Sequence, residues 1–311
     1  MSGRRPGRIQ PGAVAACIHR PAGWNCAGLV IGPTPSTMRW IIGDIHGYAK
    51  PLDRLLEAVR EADRDAVVLF VGDYVNRGPD SRAVIERLLR MNNARFCRGN
   101  HDNVFDLLLN GSCYDVRQDM MHPHHLFSSF LDAGLDRTLL SYEIDLAMVY
   151  SLAVDFSIPR LRELLSPVPA EHRQFFRRLE PVIEHDDLFV VHARWPADQA
   201  DGPELLIDLL AGSRRLRHEA LWGRYNRLEI AAPKSWRRRG FFGHTPVSFY
   251  RLASRSVALP ILGERMVLLD TAIALGLDGR LTAYCADTDR FLQVDRQLDV
   301  VELAARETLF G

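Results

Sequence analysis

The chain lacks net charge: 39 lysines and arginines stand against 39 aspartates and glutamates. That balance gives no whole-chain attraction to nucleic acid or to a membrane surface, so neither is an expected partner. Long apolar runs are also missing; none approaches the ~18 residues that a membrane-spanning helix needs. Cysteine is scarce, with Cys17, Cys26, Cys97, Cys113 and Cys285 scattered and no C-x-x-C pair. An odd, dispersed set argues against a disulfide framework and for a reducing compartment, read as the cytoplasm. Acidic residues are absent from residues 1–37, which hold four arginines and five prolines. No helical or strand period persists there. The apolar run from Ala13 to Ile18 is too short for the core of a secretory signal. Residues 1–37 are therefore expected to be a disordered tail or a mis-assigned start, with the folded part beginning at Met38.

Apolar residues make up 47% of the 311 and charged residues 25%, a composition that suits a globular domain. Three short motifs each follow a strand-like apolar run. Trp40-Ile41-Ile42 precedes Gly43-Asp44-Ile45-His46-Gly47. Val67 to Val71 precedes Gly72-Asp73-Tyr74-Val75-Asn76-Arg77-Gly78, and Arg95-Phe96-Cys97 precedes Gly99-Asn100-His101-Asp102. A helical pattern follows each. Leu52, Leu55, Leu56 and Val59 recur at i, i+3, i+4, i+7; Val84, Ile85, Leu88 and Leu89 repeat the pattern, as do Val104, Phe105, Leu107 and Leu108. The β-α-β-α-β order predicts parallel strands with helices outside, and delivers Asp, His and Asn to one sheet edge, where open α/β sheets place their sites. Oxygen ligands mixed with imidazoles suit a divalent transition metal. Asp73 has two carboxylate oxygens and can bridge two ions.

Residues 111–185 read as a helical insertion, with helices over Phe127–Leu140, Leu146–Leu152 and Glu171–Leu179 broken by Pro159, Pro167 and Pro169. The His122-Pro123-His124-His125 loop reads as solvated. Leu188–Val191 is a strand ending at His192, and Phe241-Phe242-Gly243 delivers His244. Three later runs, Met266–Thr271, Leu281–Tyr284 and Phe291–Val294, are separated by tight turns and predict an antiparallel second sheet.

At these motifs the chain resembles the calcineurin-like metallophosphoesterases, more narrowly the PPP-type enzymes that include bacterial serine/threonine protein phosphatases and symmetrical diadenosine tetraphosphatases. Five motifs stand in the family's order, from about Met38 to about Val294. Asn76 stands where most members have Asp, and Arg194 where most have Gly. The resemblance implies two mixed sheets packed as a sandwich with flanking helices. It implies two divalent ions (Mn²⁺ foremost, Fe or Zn as alternatives), one held by Asp44, His46 and Asp73, the other by Asp73, Asn100, His192 and His244. In the family's mechanism a hydroxide shared by the ions attacks the phosphorus in line. His101 matches the general acid, and Arg77 and Arg224 match arginines that hold phosphate; Arg194 is a third candidate. The implied activity is hydrolysis of phosphate monoesters, foremost on phosphoproteins. The alternatives are a nucleoside-polyphosphate hydrolase and, because of Asn76 and Arg194, a metal-binding pseudophosphatase. The expected partner is thus a phosphorylated protein or a nucleotide, and nothing in the sequence bears on oligomeric state. Asn76 is expected to orient His101 through its amide oxygen while supplying no charge. That arrangement favours phosphotyrosine or polyphosphate substrates over phosphoserine, whose alkoxide most needs a proton.

Overall fold

The computed structural model describes residues 37–111, 122–199, 205–250 and 259–304. The expectation for residues 1–37 lies outside these, apart from Thr37. Two mixed sheets carry the fold. The first has six strands in the order β11-β10-β9-β1-β2-β3 and the second five, in the order β4-β5-β6-β8-β7. The first contains β1 (Arg39–Ile42), β2 (Val67–Phe70), β3 (Ala94–Phe96), β9 (Leu281–Cys285), β10 (Arg290–Val294) and β11 (Val300–Ala304). The second contains β4 (Ile183–Glu184), β5 (Leu188–Val190), β6 (Arg239–Phe242), β7 (Ile261–Leu262) and β8 (Met266–Leu268). Each sheet has a parallel part, β1-β2-β3 and β5-β6-β8, with antiparallel strands at its margins. The tight-turned strands near the C-terminus do not build the second sheet as expected. β9 pairs antiparallel with β1 and extends the first sheet, while β8 lies parallel to β6. Local turns fix that β9 and β10 are neighbours, but not which sheet receives them.

Side chains alternate across each strand, and the alternation sorts them into three cores. Ile41, Leu69, Val71, Phe241, Val267 and Leu269 point between the sheets. Trp40, Ile42, Val68 and Phe70 point outward from the first sheet onto helices. Phe242, Met266 and Leu268 do the same on the second. Strands covered on both faces read as continuous apolar runs, which is why they stand out in the sequence.

On the first sheet, α1 (Ala49–Ala62) buries Leu52, Leu55, Leu56 and Val59, and α2 (Ser81–Leu88) buries Val84, Ile85 and Leu88. Leu89, expected inside, lies just past the end of α2 and is exposed. Helix α3 (Asn100–Asn110) begins on the Gly99-Asn100 motif itself. Between β3 and β4 lie α4 (Pro123–Asp132), α5 (Leu135–Ser141), α6 (Leu146–Val154), α7 (Ile158–Leu164) and α8 (Ala170–Arg177). The single helix expected over Phe127–Leu140 is two, separated where Gly134 adopts φ 89°. Pro159 opens α7 rather than breaking a helix, since the first turn needs no N–H from it. His122 caps α4, and His124 stacks on Phe156 and reaches the Ala153 carbonyl. Helices α9 (Leu206–Gly212), α10 (Arg214–Trp222) and α11 (Arg227–Ala231) run between β5 and β6.

Leu69 is fully buried between the sheets. Leu69→Ala should lower the unfolding free energy by about 2–5 kcal/mol, whereas Leu277→Ala, at an 82% exposed position, should change it by less than about 0.5 kcal/mol. Denaturant titration of both variants checks this; equal effects would mean that the inter-sheet layer is not a packed core.

Candidate dinuclear metal centre

The carboxyl ends of the parallel strands converge from both sheets. The turn after β1 carries Asp44 and His46, the turn after β2 carries Asp73, and β3 leads through Gly99 to Asn100 and His101. From the second sheet, β5 leads to His192, β6 to His244 and β8 to Asp270. The loops are laced by main-chain bonds: Ile45 and His46 N–H donate to the Asp73 carbonyl, and Gly78 N–H donates to that of His46. His46, Asp73, Asn76, Arg77 and His244 all have positive φ, between 47° and 72°. They are five of the nine such non-glycine residues among the described ones, and backbone of this kind concentrates at functional sites. Two glycines allow the close approach. A Cβ on Gly243 would lie 1.9 Å from Asp44 Oδ1, and one on Gly99 would lie 2.1 Å from Asp73 Oδ1.

Asp73 is at the centre, almost wholly buried. Its Oδ1 lies 3.4 Å from His192 Nε2 and its Oδ2 lies 3.6 Å from His46 Nε2. One oxygen therefore faces each imidazole. His46 Nδ1 lies 3.0 Å from the Val75 carbonyl and His192 Nδ1 3.0 Å from that of Val71. These bonds place a ring proton on each Nδ1 and turn both Nε2 atoms inward, as in ligands fixed by their outer hydrogen bonds. Asn100 Oδ1 lies 3.0 Å from His192 Nε2 and 2.9 Å from His244 Nδ1. Asp44 Oδ2 accepts the His244 N–H at 2.9 Å, while Asp44 Oδ1 and His244 Nε2 are buried with no hydrogen-bond partner. Ligand atoms of His46, Asp73 and His101 lie within 4.8 Å of one another, as do those of Asp73, His192 and His244. Orphaned buried polar atoms, inward imidazole nitrogens and a shared carboxylate fit two divalent cations. Of the six ligands expected from the motifs, these two groups bring together His46, Asp73, His192 and His244, with Asn100 and Asp44 hydrogen-bonded at their edge; His101 joins the first group, its Nε2 4.0 Å from Asp73 Oδ2.

Burial raises Asp44 well above the usual carboxylate range, with Asp270 adding to it. Burial also favours neutral Asp73, but interaction with His192 first, then with His101 and His46, outweighs it and holds that carboxyl low. For His192 burial is likewise outweighed, by Asp73, Asp44 and Asp102, and it rises to about 9. Burial depresses His46 and His244 well below the imidazole norm and takes His101 down to about 4. Asp102 caps α3 and ties the loops together: it accepts N–H from Gly99 and Asp73 at Oδ2 and from Tyr74 at Oδ1.

Arg77 and Arg224 line a cavity of about 590 Å³ beside His244, together with Arg137, Phe249 and Leu275. Arg194 does not join them. Its guanidinium pairs with Glu219 at 2.6 Å and with Glu229, so the expected phosphate role gives way to a structural ion pair binding the loop after β5 to α10 and α11. Asn76 is also corrected. Its amide nitrogen, not its oxygen, faces His101 Nδ1 at 2.8 Å, and its oxygen accepts the Thr138 hydroxyl at 2.9 Å. The sequence reading missed Thr138, Arg137 and Phe249. None stands in a motif; only the polar Thr138 among the apolar positions of α5 gave a local sign.

The family model described as calcineurin-like phosphoesterase matches residues 39–247. A symmetrical bis(5'-nucleosyl)-tetraphosphatase of Legionella pneumophila strain Philadelphia 1 is 29% identical over 165 residues, 48% of this chain and 60% of that protein. Another, from strain Lens, is 39% identical over 84 residues, 26% of this chain and 30% of that protein. The matched segments thus span less than two thirds of these relatives. A solved structure titled a putative diadenosine tetraphosphatase aligns over 90% of this chain and 97% of its own, at 19% identity and a TM-score of 0.47.

A cation bound by His192 Nε2 must displace a proton, because that imidazole, at about 9, is charged at neutral pH without metal. Mn²⁺ affinity of the metal-free protein should therefore rise roughly tenfold per pH unit from 7 towards 9 and level off above. Calorimetry in buffers of different ionisation enthalpy should detect the released proton. Affinity independent of pH over this range would remove His192 from the ligand set.

Proposed function

This chain belongs to the calcineurin-like phosphoesterases, and from that premise we propose that it is a divalent-metal-dependent hydrolase whose substrate is a nucleoside polyphosphate, cut at a phosphoanhydride. The observation that carries this reading is the arginine lining of the cavity beside the buried cluster. Arg77, Arg137 and Arg224 face it, and among the described residues none of the three forms an ion pair with a carboxylate. Asp132 and Asp136 share the lining and only partly offset the charge. Two guanidinium forks suffice for one phosphoryl group; a third suits a chain of phosphates. Phe249, 65% exposed at the same cavity, offers a face on which a base can stack.

Cations held by the Asp73 cluster would acidify water and neutralise phosphoryl charge. The remaining work falls to the chain's own groups. Arg77, whose N–H is held by the Gly134 carbonyl, and Arg224 orient the reacting phosphate, and His101, with its Nε2 4.0 Å from Asp73 Oδ2, stands on the side of the buried cluster. The names of the Legionella relatives support a nucleotide substrate. A second reading, hydrolysis of phosphotyrosine, is favoured by the apolar side of the cavity, where Phe249 and Leu275 can receive an aryl group. Phosphoserine is the least favoured of the expected substrates, since its alkoxide needs a proton that a neutral His101 does not readily give.

With Mn²⁺, kcat/KM for diadenosine tetraphosphate should exceed that for phosphoserine peptides by at least about tenfold; the reverse order would sink the nucleotide reading. A chelator should abolish turnover and Asp73→Asn should reduce it by more than roughly 100-fold. Arg137→Ala should raise KM for diadenosine tetraphosphate about tenfold, the loss of one charge-assisted contact, while leaving p-nitrophenyl phosphate unchanged. Steady-state kinetics on the two substrates separates these outcomes.

A further inference from the structure

The helical segment between β3 and β4 reaches the site at a point that no motif marks. Thr138, on α5, is fully buried against Asn76 and Ser81, which are buried just as completely. Its hydroxyl oxygen lies 2.8 Å from the Asn76 main-chain N–H, 2.9 Å from Ser81 Oγ and 2.9 Å from Asn76 Oδ1. Counting donors resolves the network. Ser81 Oγ has two neighbours, the Asn76 N–H at 3.3 Å and Thr138 Oγ1. The first only donates, so the Ser81 proton goes to Thr138. The two lone pairs of the Thr138 oxygen are then filled, one by Ser81 O–H and one by Asn76 N–H. Its own proton has one acceptor left, Asn76 Oδ1. That bond fixes the rotation of the amide and turns its NH₂ onto His101 Nδ1 at 2.8 Å. An amide nitrogen only donates, so His101 Nδ1 must accept, and the single ring proton resides on Nε2, the nitrogen that faces Asp73.

We propose that Thr138 is a positioning residue that sets the sense of the Asn76–His101 hydrogen bond and thereby holds His101 as a fixed Nε2–H donor toward the reacting phosphate. The inference rests on the reading of the cluster as a phosphohydrolase site, though not on which substrate it takes. Turning the Asn76 amide over would reverse every polarity: its oxygen would accept Nδ1–H, and His101 would present a lone pair to the phosphate. A ring fixed as a neutral N–H donor can stabilise charge on a leaving oxygen without surrendering its proton. That suits leaving groups that are weak bases, such as a phosphate departing from an anhydride. Phe130 of α4 packs edge-on against the same ring, with centroids 5.1 Å apart, so the segment fixes both the plane of His101 and its proton.

Long-range ¹H–¹⁵N correlation spectra of the Zn²⁺-loaded protein test the proposal directly, because they report which ring nitrogen carries hydrogen and require no substrate. The wild type should show the Nε2–H tautomer. Asn76→Asp, which can only accept, should move the proton to Nδ1 and serves as the control. Thr138→Val should give mixed tautomers and lower kcat for aryl phosphates about tenfold with KM within about twofold, and Thr138→Ser should restore the wild-type spectrum and most of kcat. An Nδ1–H tautomer in the wild type would overturn the proposal without recourse to any variant. So would a wild-type spectrum and turnover in Thr138→Val, or equal damage in the Ser and Val variants. The expected spectra together with no turnover of diadenosine tetraphosphate would instead discard the nucleotide reading and leave the role of Thr138 standing.

Discussion

The site depends on keeping one carboxylate charged where water scarcely reaches. Burying an ionised carboxylate costs several kcal/mol unless its surroundings compensate. Around Asp73 the compensation comes from the His101 main-chain N–H at 3.0 Å on Oδ1 and from imidazoles on both sides. Its main chain is clamped in turn, with its N–H on Asp102 and its carbonyl receiving two N–H donors from the β1 motif. Five site residues sit in left-handed backbone, a conformation that costs on the order of 1–3 kcal/mol each in unfavourable cases. Two sheets with parallel strands aimed at one point supply a frame stiff enough to impose it. The family's fold is, in this sense, what the carboxylate requires.

The parts of this arrangement that arise from strand ends were legible in the sequence. A buried parallel strand must be apolar on both faces, so β1, β2, β5 and β6 announce themselves, and the ligands follow at once because the turn begins where the ladder stops. The glycines of the pattern Gly-Asp-x-His-Gly follow from close main-chain approach: a Cβ on Gly43 would lie 2.2 Å from the Leu269 carbonyl oxygen, and Gly47 has φ 71° beside the Gly78 carbonyl. Helix faces were equally clear for α1 and, up to Leu88, for α2, where burial follows the i, i+3, i+4 count; α3 is buried on nearly every side and its period carries less.

Other parts depend on which distant residues meet, and no local pattern carries that. Arg194 looks available for phosphate until Glu219 and Glu229, 25 and 35 residues further on, are seen to occupy it. The sense of the Asn76 amide is decided by a threonine 62 residues away. Two orientations of an amide differ by no atom in the sequence; only a count of donors and acceptors around it distinguishes them. The assignment of β9 to the first sheet was hidden likewise, because hairpin turns specify neighbours and not partners across the fold.

That last pairing bears on how the molecule comes to be made. β1 takes β2 on one edge and β9 on the other, with Trp40 opposite Cys285. During synthesis the β9 edge of β1 stays unpaired until some 245 further residues have been added, roughly 10–50 s at ribosomal rates of about 5–20 residues per second. Throughout that interval a fully buried strand of the finished enzyme is an open edge, with Trp40, Ile41 and Ile42 on offer to any passing chain. Overproduction should therefore be limited by the lifetime of this nascent edge, and slower initiation or chaperone supply should matter more to yield than further stabilisation of the native state.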